Sequence, residues 1–575
     1  MIKNERTGRT VLNAAAAAFA VISPAAAALC GTGTALYFAA ALLAAAVMLR
    51  AASSRKRYIS AAQLPAAALL IYAVISALSA LNAQGHVRLI ITLFAAVLSS
   101  AAATDWFFEN KEGGISERLM QMIYAGGILC AAAMLANLVL QYVGASWQSM
   151  KFGQNNIFGI ILFGGMLCGE NMRVKNKEVK GRRIRVGTAV QLAAFILCRC
   201  FSAAVFAAAF LISAYLSNKH KNKYSGVCSV ALSALSAIFA AFSGGIVLKD
   251  SVLLAFRHPF GIGGGGFISG QQSYASAYYP AVGAIPFLGE AASAFGVFGI
   301  IVCAAVIVRT TVIYLKKRSA ASMFLMFAAM NLLFLPTAQN YAAVILFSGM
   351  YAYNEDYTSV RRKSGIGSAY FMAVSAALIF MLGALGVLRA GGMRMYENGS
   401  AASAESFLKA AASVNVFDAE SPLRLAKCIV KQNPQRTEEA AAWLEKAEKR
   451  CKNSAELSAE YAEVMASLGN LSAASLRWET AVAAAPHNSR YKLCMVQALY
   501  SEMKQEKRGS ERTKSIYEKI VRTAASENDI ETKKAINDIA DKALELTRGK
   551  KLVSEEDAAK IDGNEQISEM NQNEG

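Results

Sequence analysis

Long apolar runs separated by short basic segments fill the chain as far as Ala390, and they constrain the fold more than any other feature. A transmembrane helix needs about 20 mostly apolar residues, and a helix satisfies its own backbone hydrogen bonds in lipid. We therefore expect an all-α chain whose residues 1–390 form a polytopic transmembrane bundle. The candidate runs fall near 11–30, 33–49, 61–81, 88–104, 119–141, 155–171, 186–216, 224–247, 291–315, 319–335, 341–353 and 366–389.

The basic residues between these runs alternate in number along the chain. With the N-terminus in the cytoplasm, the cytoplasmic loops contain twenty-five Lys and Arg residues and the outer loops contain five. Cytoplasmic loops of membrane proteins are enriched in Lys and Arg in this way. We therefore expect a multi-pass protein of the cytoplasmic (plasma) membrane with a cytoplasmic N-terminus. The five outer cations are Arg88, Lys151, Arg199, Lys249 and Arg257.

The run 186–216 is too long for one span and is interrupted by Cys198-Arg199-Cys200. The basic stretches 173–185 and 219–223 on either side both have cytoplasmic character, so an even number of crossings must separate them. The sequence therefore predicts two short helices, 186–198 and 200–217, with Arg199 at the outer turn. The total becomes 12 to 13 spans, and the odd count of 13 makes the C-terminal domain extracytoplasmic.

The segment 391–547 loses the apolar runs and acquires an internal repeat. Ala440 and Ala447 recur as Ala474 and Ala481, and the stretch 460–488 has spacings that resemble the tetratricopeptide consensus. We expect a soluble α-solenoid of antiparallel helix pairs, with a groove for a protein partner; the alternative is that the pairs only cap the membrane domain. Residues 548–575 are polar and acidic, and are expected to be disordered.

Charge and motif content exclude several function classes. The net charge is +19, yet the chain from Gly391 onward is net −2, so the positive charge belongs to the membrane loops and does not indicate nucleic acid. There is no GxxxxGK[ST] loop, no HExxH motif and no CxxC pair. No cofactor and no protein-built metal site are predicted, and the ten cysteines are interpreted as small apolar residues.

The longest predicted outer loop is 249–290, and its segment 257–267 reads RHPFGIGGGGF. This segment resembles the His-Pro-led, glycine-rich motif in the outer loop of the O-antigen ligase and polymerase superfamily. Three further segments resemble landmarks of that family in the same order: KFGQNNIFG (151–159), ILCRCFSAAVF (196–206) and FGVFGI (295–300). The layout of many spans, a large outer loop and a tetratricopeptide-like tail is also similar to that of these membrane ligases.

The resemblance implies a glycosyltransferase-type ligase or polymerase of cell-surface polysaccharide biosynthesis. Such an enzyme transfers a saccharide from undecaprenyl diphosphate to a saccharide or lipid acceptor at the outer face. By this resemblance Arg257 and Arg199 would hold the diphosphate through charged hydrogen bonds. Gly261 and Gly263 would shape the loop that binds it and add backbone N–H donors.

The resemblance also implies a base for the acceptor hydroxyl, for which His258 and Glu290 are the candidates. The family places a His-Asn pair shortly before the glycine-spaced start of the next span. Here that place reads AIPFLGEAASAFG (284–296), without a histidine. A non-catalytic scaffold of a glycan-assembly complex is therefore an alternative. A transporter is disfavoured because mid-span charge is nearly absent, Arg309 being the main candidate.

Overall fold

The structure is a computed structural model of the chain. It divides into two compact units, Met1–Asn453 and Ser454–Gly575, whereas the sequence predicted a boundary at 390/391. The described residues are 57–83, 85–87, 89–94, 96–97, 100, 115–142, 152–175, 179–219, 223–267, 286–334, 347, 351, 357–360, 392, 395, 401–414, 418–433, 436–451 and 454–547. The predicted runs 11–30, 33–49 and 366–389 and the tail 548–575 lie outside them.

The described part of the first unit is almost entirely helical, as expected. One short antiparallel strand pair, β1 (Arg57–Ser60) with β2 (Tyr357–Val360), is the exception. The helices are α1 (Leu64–Ile75), α2 (Ile115–Tyr142), α3 (Phe152–Lys175), α4 (Val179–Leu197), α5 (Phe201–Lys219), α6 (Lys223–Arg257), α7 (Phe287–Phe295), α8 (Val297–Lys317), α9 (Ala320–Phe334), α10 (Ala401–Val414), α11 (Glu420–Gln432) and α12 (Thr437–Arg450).

Three helices of the described residues are long and apolar enough to cross a membrane. They contain Phe201–Asn218, Tyr224–Phe242 and Val297–Lys317. Other apolar helices are shorter, for example Ile184–Leu197 and Ala320–Phe334. The number of crossings, predicted as 12 to 13, stays a prediction.

The break predicted at Arg199 is confirmed. Helix α4 ends at Leu197 and α5 begins at Phe201, and Arg199 between them has φ 51°, a left-handed turn conformation. An added Cβ on Gly159 in α3 would meet Cys200 and Ala203, whereas one on Gly169, further along α3, would meet Thr188. The chain therefore runs antiparallel to α3 along α4 and reverses at Arg199. Each helix has 19 residues, or about 28 Å at 1.5 Å per residue, longer than expected because α4 begins at Val179.

Two predicted boundaries differ from the structure. Helix α6 continues to Arg257, so residues 249–257 are not loop; the break comes earlier, at Gly245 with φ 40°. The segment stays helical because Ser251, Leu254 and Ala255 are buried along one face. The predicted run 291–315 is also not one helix, since Gly296 with φ 63° separates α7 from α8.

The second unit consists of five helices within residues 454–547 and contains no strand in that range: α13 (Ala455–Ser467), α14 (Leu471–Ala484), α15 (Ser489–Gln505), α16 (Glu511–Ala525) and α17 (Ile530–Thr547). Side chains of Ser454, Asn470, Asn488 and Ser510 accept a backbone N–H at the starts of the first four, which is the role of an N-cap. The repeated alanines are fully buried: Ala440 and Ala447 in the first unit, Ala474 and Ala481 in the second.

A buried ion pair joins the start of α15 to the turn between α16 and α17. Lys492 Nζ lies 3.3 Å from Glu527 Oε2, and the two side chains are 8% and 3% exposed. Lys492 also donates to the Ser526 carbonyl at 3.0 Å. Glu527 Oε1 accepts from the Ser489 hydroxyl at 2.9 Å and from the Asp529 amide at 2.8 Å. The pair therefore fixes the turn at 526–529 against α15.

Acidification is expected to weaken the second unit through Glu527. Burial by itself acts to raise the pKa of this carboxyl, but the Asp529 amide, the Ser489 hydroxyl and Lys492 lower it by more, and the net pKa is lowered. A carboxyl with a lowered folded-state pKa adds stability above its unfolded pKa and loses it as pH falls through the folded value. Between pH about 6 and about 3, the thermal midpoint of wild-type residues 454–575 should fall further than the midpoint of the Glu527→Gln variant. Equal falls of the thermal midpoint in the two proteins would contradict the stabilising role of the ionised Glu527.

Candidate functional site

The segment that resembles the ligase motif forms a compact glycine-rich turn, residues 258–267, packed on the break between α7 and α8. The Ile262 amide donates to the Ser293 carbonyl at 2.8 Å, and the Gly263 amide donates to the Ala294 carbonyl at 3.3 Å. In the other direction, the Val297 amide donates to the Pro259 carbonyl at 3.1 Å. The turn is therefore fixed to the entrance of α8 by backbone hydrogen bonds.

The other side of the glycine-rich turn is held by the segment 80–86. The Gly264 amide donates to His86 Nδ1 at 2.9 Å, and His86 Nε2 lies 2.7 Å from the Ala73 carbonyl oxygen. Because Nδ1 accepts a hydrogen bond, Nε2 carries the proton and the imidazole is neutral. The Leu81 amide also donates to the Ile262 carbonyl at 3.2 Å. His86 is buried and thus links α1 to the turn.

Close backbone approach explains the glycines at this site. Gly261, Gly263 and Gly265 have φ between 67° and 85°, a region that favours glycine. An added Cβ on Gly261 would lie 2.2 Å from the Ala294 carbonyl oxygen, and one on Gly263 would lie 2.6 Å from the Ala80 Cβ. The run of glycines is therefore required by packing between two chain segments.

The amides of the turn are largely used inside the protein. Gly261 donates to the His258 carbonyl, Gly263 to Ala294, Gly264 to His86 and Gly266 to the Gly263 carbonyl. The amides of Gly261 and Gly263, predicted as donors to phosphate, thus already have carbonyl acceptors. In this conformation the two glycines shape the turn, and a phosphate would have to be contacted by side chains beside it.

Arg257 and His258 are the exposed polar residues at the tip of this assembly. Arg257 is the last residue of α6, and His258 follows it directly. The neighbours Phe256 and Phe260 are 65% and 80% exposed. The Phe260 carbonyl accepts a hydrogen bond from the Tyr72 hydroxyl at 2.8 Å, which ties this tip to α1. A cation flanked by exposed aromatic rings is suited to the boundary between lipid and water.

Glu290 lies in α7 with 2% of its surface exposed. It is one helical turn before Ser293 and Ala294, whose carbonyls hold the glycine-rich turn. The residue is therefore near the site in the chain, but its carboxyl belongs to the interior of the fold. His258, which is exposed, is the more accessible of the two predicted bases.

Arg199 lies in a different turn, between α4 and α5. The turn is closed by the Phe201 amide, which donates to the Arg199 carbonyl at 2.8 Å, and the Ser202 amide donates to Asn156 Oδ1 at 2.9 Å. Arg199 is exposed. The structure thus groups Arg257, His258, Gly261 and Gly263 in one assembly with α7, and places Arg199 beside the start of α3.

Sequence reasoning missed two residues of the assembly, Asn82 and His86. Asn82 Oδ1 accepts the Gly85 amide at 2.9 Å, and Asn82 Nδ2 lies 3.4 Å from the Gly265 carbonyl oxygen. The available signal was a polar segment, NAQGH, in a short predicted outer loop between two apolar runs. Nothing in that signal indicated a partner in the glycine-rich turn, which is distant in the chain.

A predominantly apolar groove lies between α1, α8 and α9. Its walls include Leu69, Phe287, Val302, Val306 and Leu332. Among the residues that the structure describes, no group of three His, Cys, Asp or Glu side chains is placed to hold a metal ion. A scan against models of known protein families finds no match for this chain, and a search of curated proteins also finds none.

Proposed function

We propose that this chain is a polytopic membrane glycan ligase or polymerase, which transfers an undecaprenyl diphosphate-linked saccharide to an acceptor at the outer face of the cytoplasmic membrane. The observation that carries the proposal is the position of Arg257, an exposed cation that ends α6 directly before the backbone-fixed turn, with exposed phenylalanines at 256 and 260. A lipid diphosphate presents its charge at the same lipid–water boundary, and a guanidinium binds phosphate oxygens in a bidentate manner.

The arrangement of the first unit supports the proposed sidedness. The β1–β2 pairing joins segments beside the basic stretches 50–57 and 361–363, both predicted to be cytoplasmic. The glycine-rich turn packs on the segment 80–86, and both of these were predicted to be outside. Each of these contacts joins segments expected on the same side of the membrane.

The outer placement of the C-terminal part and its solenoid character also belong to the proposal. An isolated antiparallel bridge pairs Asn82, in a predicted outer loop, with Cys451 after α12. This contact supports an extracytoplasmic position for α10–α12. The helices α13–α17 follow one another with short turns, as expected for stacked pairs that offer a groove to a protein partner.

A non-catalytic scaffold is the second candidate, and two observations favour it. Glu290 is buried, and the described residues 286–296, which lead directly into α8, contain no histidine. His86, the histidine that does approach the turn, uses both ring nitrogens within the fold. Under this alternative the glycine-rich turn would be an architectural element only.

Substitution Arg257→Ala is expected to reduce glycan transfer at least tenfold in purified, membrane-reconstituted protein. Loss of a charged hydrogen bond costs about 1.5–3 kcal/mol, or roughly ten- to a hundredfold in rate. Arg257→Lys should recover only part of the rate, because an ammonium lacks the bidentate fork. The measurement is transfer from lipid-linked oligosaccharide to acceptor in vitro.

Lys249→Ala is the matched control, since Lys249 is also an exposed cation on α6, two turns earlier. It should retain normal transfer. His258→Ala tests the proposed base separately. Full activity of Arg257→Ala would refute the diphosphate contact, and wild-type protein without any transfer activity would favour the scaffold.

A further inference from the structure

A break at Gly245 divides α6 into a long apolar part and a short end segment. The stretch Tyr224–Phe242 is long and apolar enough to cross a membrane, and Gly245 after it has φ 40° and ψ −130°, which is not helical. The chain then continues as helix to Arg257. This end segment, residues 246–257, is about 18 Å long at 1.5 Å per residue. It is too short to cross the membrane by itself.

One face of the end segment packs inside the protein. Leu254 is buried in a cluster with Ile262 and Phe267 of the glycine-rich turn. Ser251 is also buried, and an added Cβ on Gly289 of α7 would lie 2.5 Å from the Ser251 Oγ atom. The end segment is therefore held between α7 and the glycine-rich turn, and these contacts determine which of its faces points outward.

The outward face of the end segment has large apolar side chains. Ile246, Leu253 and Phe256 are between 44% and 65% exposed, and we call these three residues the apolar stripe. Lys249 and Arg257 are exposed on the same face. At 3.6 residues per turn, all five side chains fall within an arc of about 100°. A helix face of this composition indicates a surface that contacts a partner.

The charges on this face favour a lipid surface as that partner. Among the residues that the structure describes, none forms an ion pair with the side chain of Lys249 or Arg257. Long basic side chains can lie along apolar surface while their charged ends reach the polar region above it. In a bilayer, the phosphate groups of the headgroups lie directly above the acyl chains, so one surface can contact both the apolar and the basic side chains.

We propose that the end segment of α6 is an interfacial membrane anchor, which lies in the plane of the outer leaflet with its apolar stripe among the upper acyl carbons. Helices with one apolar face and flanking cations bind lipid in this orientation. The stripe begins where the candidate span ends, and Phe242 at the end of that span is also exposed. The apolar side chains carry the contact, so the loss of a single flanking cation leaves it in place. The inference rests on the proposed membrane location of the chain, but not on its proposed transferase activity.

The test is photo-crosslinking of the full-length protein in vesicles of equal parts phosphatidylglycerol and phosphatidylcholine. The photoreactive amino acid p-benzoylphenylalanine replaces Phe256 in one variant and Leu253 in a second, and mass spectrometry counts the lipid adducts of each. Leu235 is the membrane control, because it is exposed near the middle of the candidate span. Val521 is the water-facing control, because it is exposed on α16 of the second unit.

We expect lipid adducts at both positions of the apolar stripe. Their yields should be within about threefold of the yield at Leu235 and at least about tenfold above the yield at Val521. Fragmentation of the adducts should locate the new bond on acyl carbons close to the glycerol, because an interfacial helix is buried only about 5–10 Å into the headgroup and acyl boundary. Adducts at Leu235 should instead lie closer to the chain ends.

Three results would overturn the anchor while leaving the membrane location intact. The first is a lipid yield at Phe256 and Leu253 as low as at Val521, with normal adducts at Leu235. The second is cross-linking between two copies of the chain in place of lipid, which would assign the apolar stripe to a dimer interface. The third is attachment to the chain ends, which would place the end segment across the leaflet.

The Leu235 control separates this inference from the proposed membrane location. Absence of lipid adducts at Leu235 would overturn the membrane location and, with it, the anchor. If the Phe256 variant does not fold, the Leu253 variant carries the same test. Glycan transfer enters none of these measurements, so failure of the anchor leaves the transferase proposal to the Arg257→Ala experiment.

Discussion

Replacing Lys492 by Met is expected to lower the free energy of unfolding of residues 454–575 by about 3–5 kcal/mol. The ammonium is the counter-charge of Glu527, whose side chain is 3% exposed, and it also holds the Ser526 carbonyl. Methionine has a similar length but leaves the buried carboxylate without its cation. For a domain of about this size the thermal midpoint should fall by about 10 °C or more.

The double variant Lys492→Met with Glu527→Gln separates the cost of an unpaired charge from the value of the pair. Removing both charges should recover most of the lost stability, since a buried pair replaced as a whole is often nearly neutral. Lys514→Met is the exposed control. Its partner Glu511, 2.8 Å away, is 90% exposed, so the loss should be below about 1 kcal/mol. A Lys492→Met effect as small as that of Lys514→Met would refute the role of the ion pair.

Charge alternation and short-range periodicity in the sequence predicted several local features correctly. The break at Arg199 followed from the basic stretches on both sides of one long apolar run, and the structure has a left-handed turn there. The internal repeat in the C-terminal part of the sequence singled out four alanines, and all four are fully buried in the structure. These signals succeed because each depends on residues close together in the chain.

The candidate site depends on contacts between distant segments, and for that reason the sequence showed only half of it. The glycine-rich turn and Arg257 could be found from their motif. The hydrogen bond from the Gly264 amide to His86 spans 178 residues, and no periodic pattern encodes such a pairing. The burial of Glu290 likewise follows from how α7 packs, and its sequence position at the start of a helix gave no indication of it.

The same limit applies to β1 and β2. Each strand has four residues and lies beside a basic stretch, where the charge pattern predicts a solvated loop. A strand forms there because a partner is present from elsewhere in the chain. The boundary between the two compact units, after Asn453, also follows from contacts across the chain, which the change in composition at Gly391 does not encode.

Substitution Gly296→Ala is expected to destabilise the glycine-rich turn and with it the full-length protein. Gly296 has φ 63° and ψ −143°, a backbone region that is essentially restricted to glycine. An added Cβ would lie 1.9 Å from the Pro259 carbonyl oxygen, which accepts the Val297 amide. Relief of this clash must move the Pro259–Gly261 backbone, so both strain and a lost hydrogen bond contribute.

Gly245→Ala is the control that isolates the clash from the strain. Gly245 also has a positive φ, 40°, with ψ −130°, but no atom lies within 4 Å of an added Cβ. It should therefore show only the backbone strain, about 1–3 kcal/mol. Gly126→Ala, in the interior of α2 with open space around it, should be neutral or slightly stabilising. Thermal unfolding of the three detergent-solubilised variants should rank Gly296→Ala lowest, by several degrees below Gly245→Ala. Equal midpoints for these two would show that the contact of Gly296 with Pro259 does not hold the turn, and Arg257 would then lack the fixed position on which its proposed role depends.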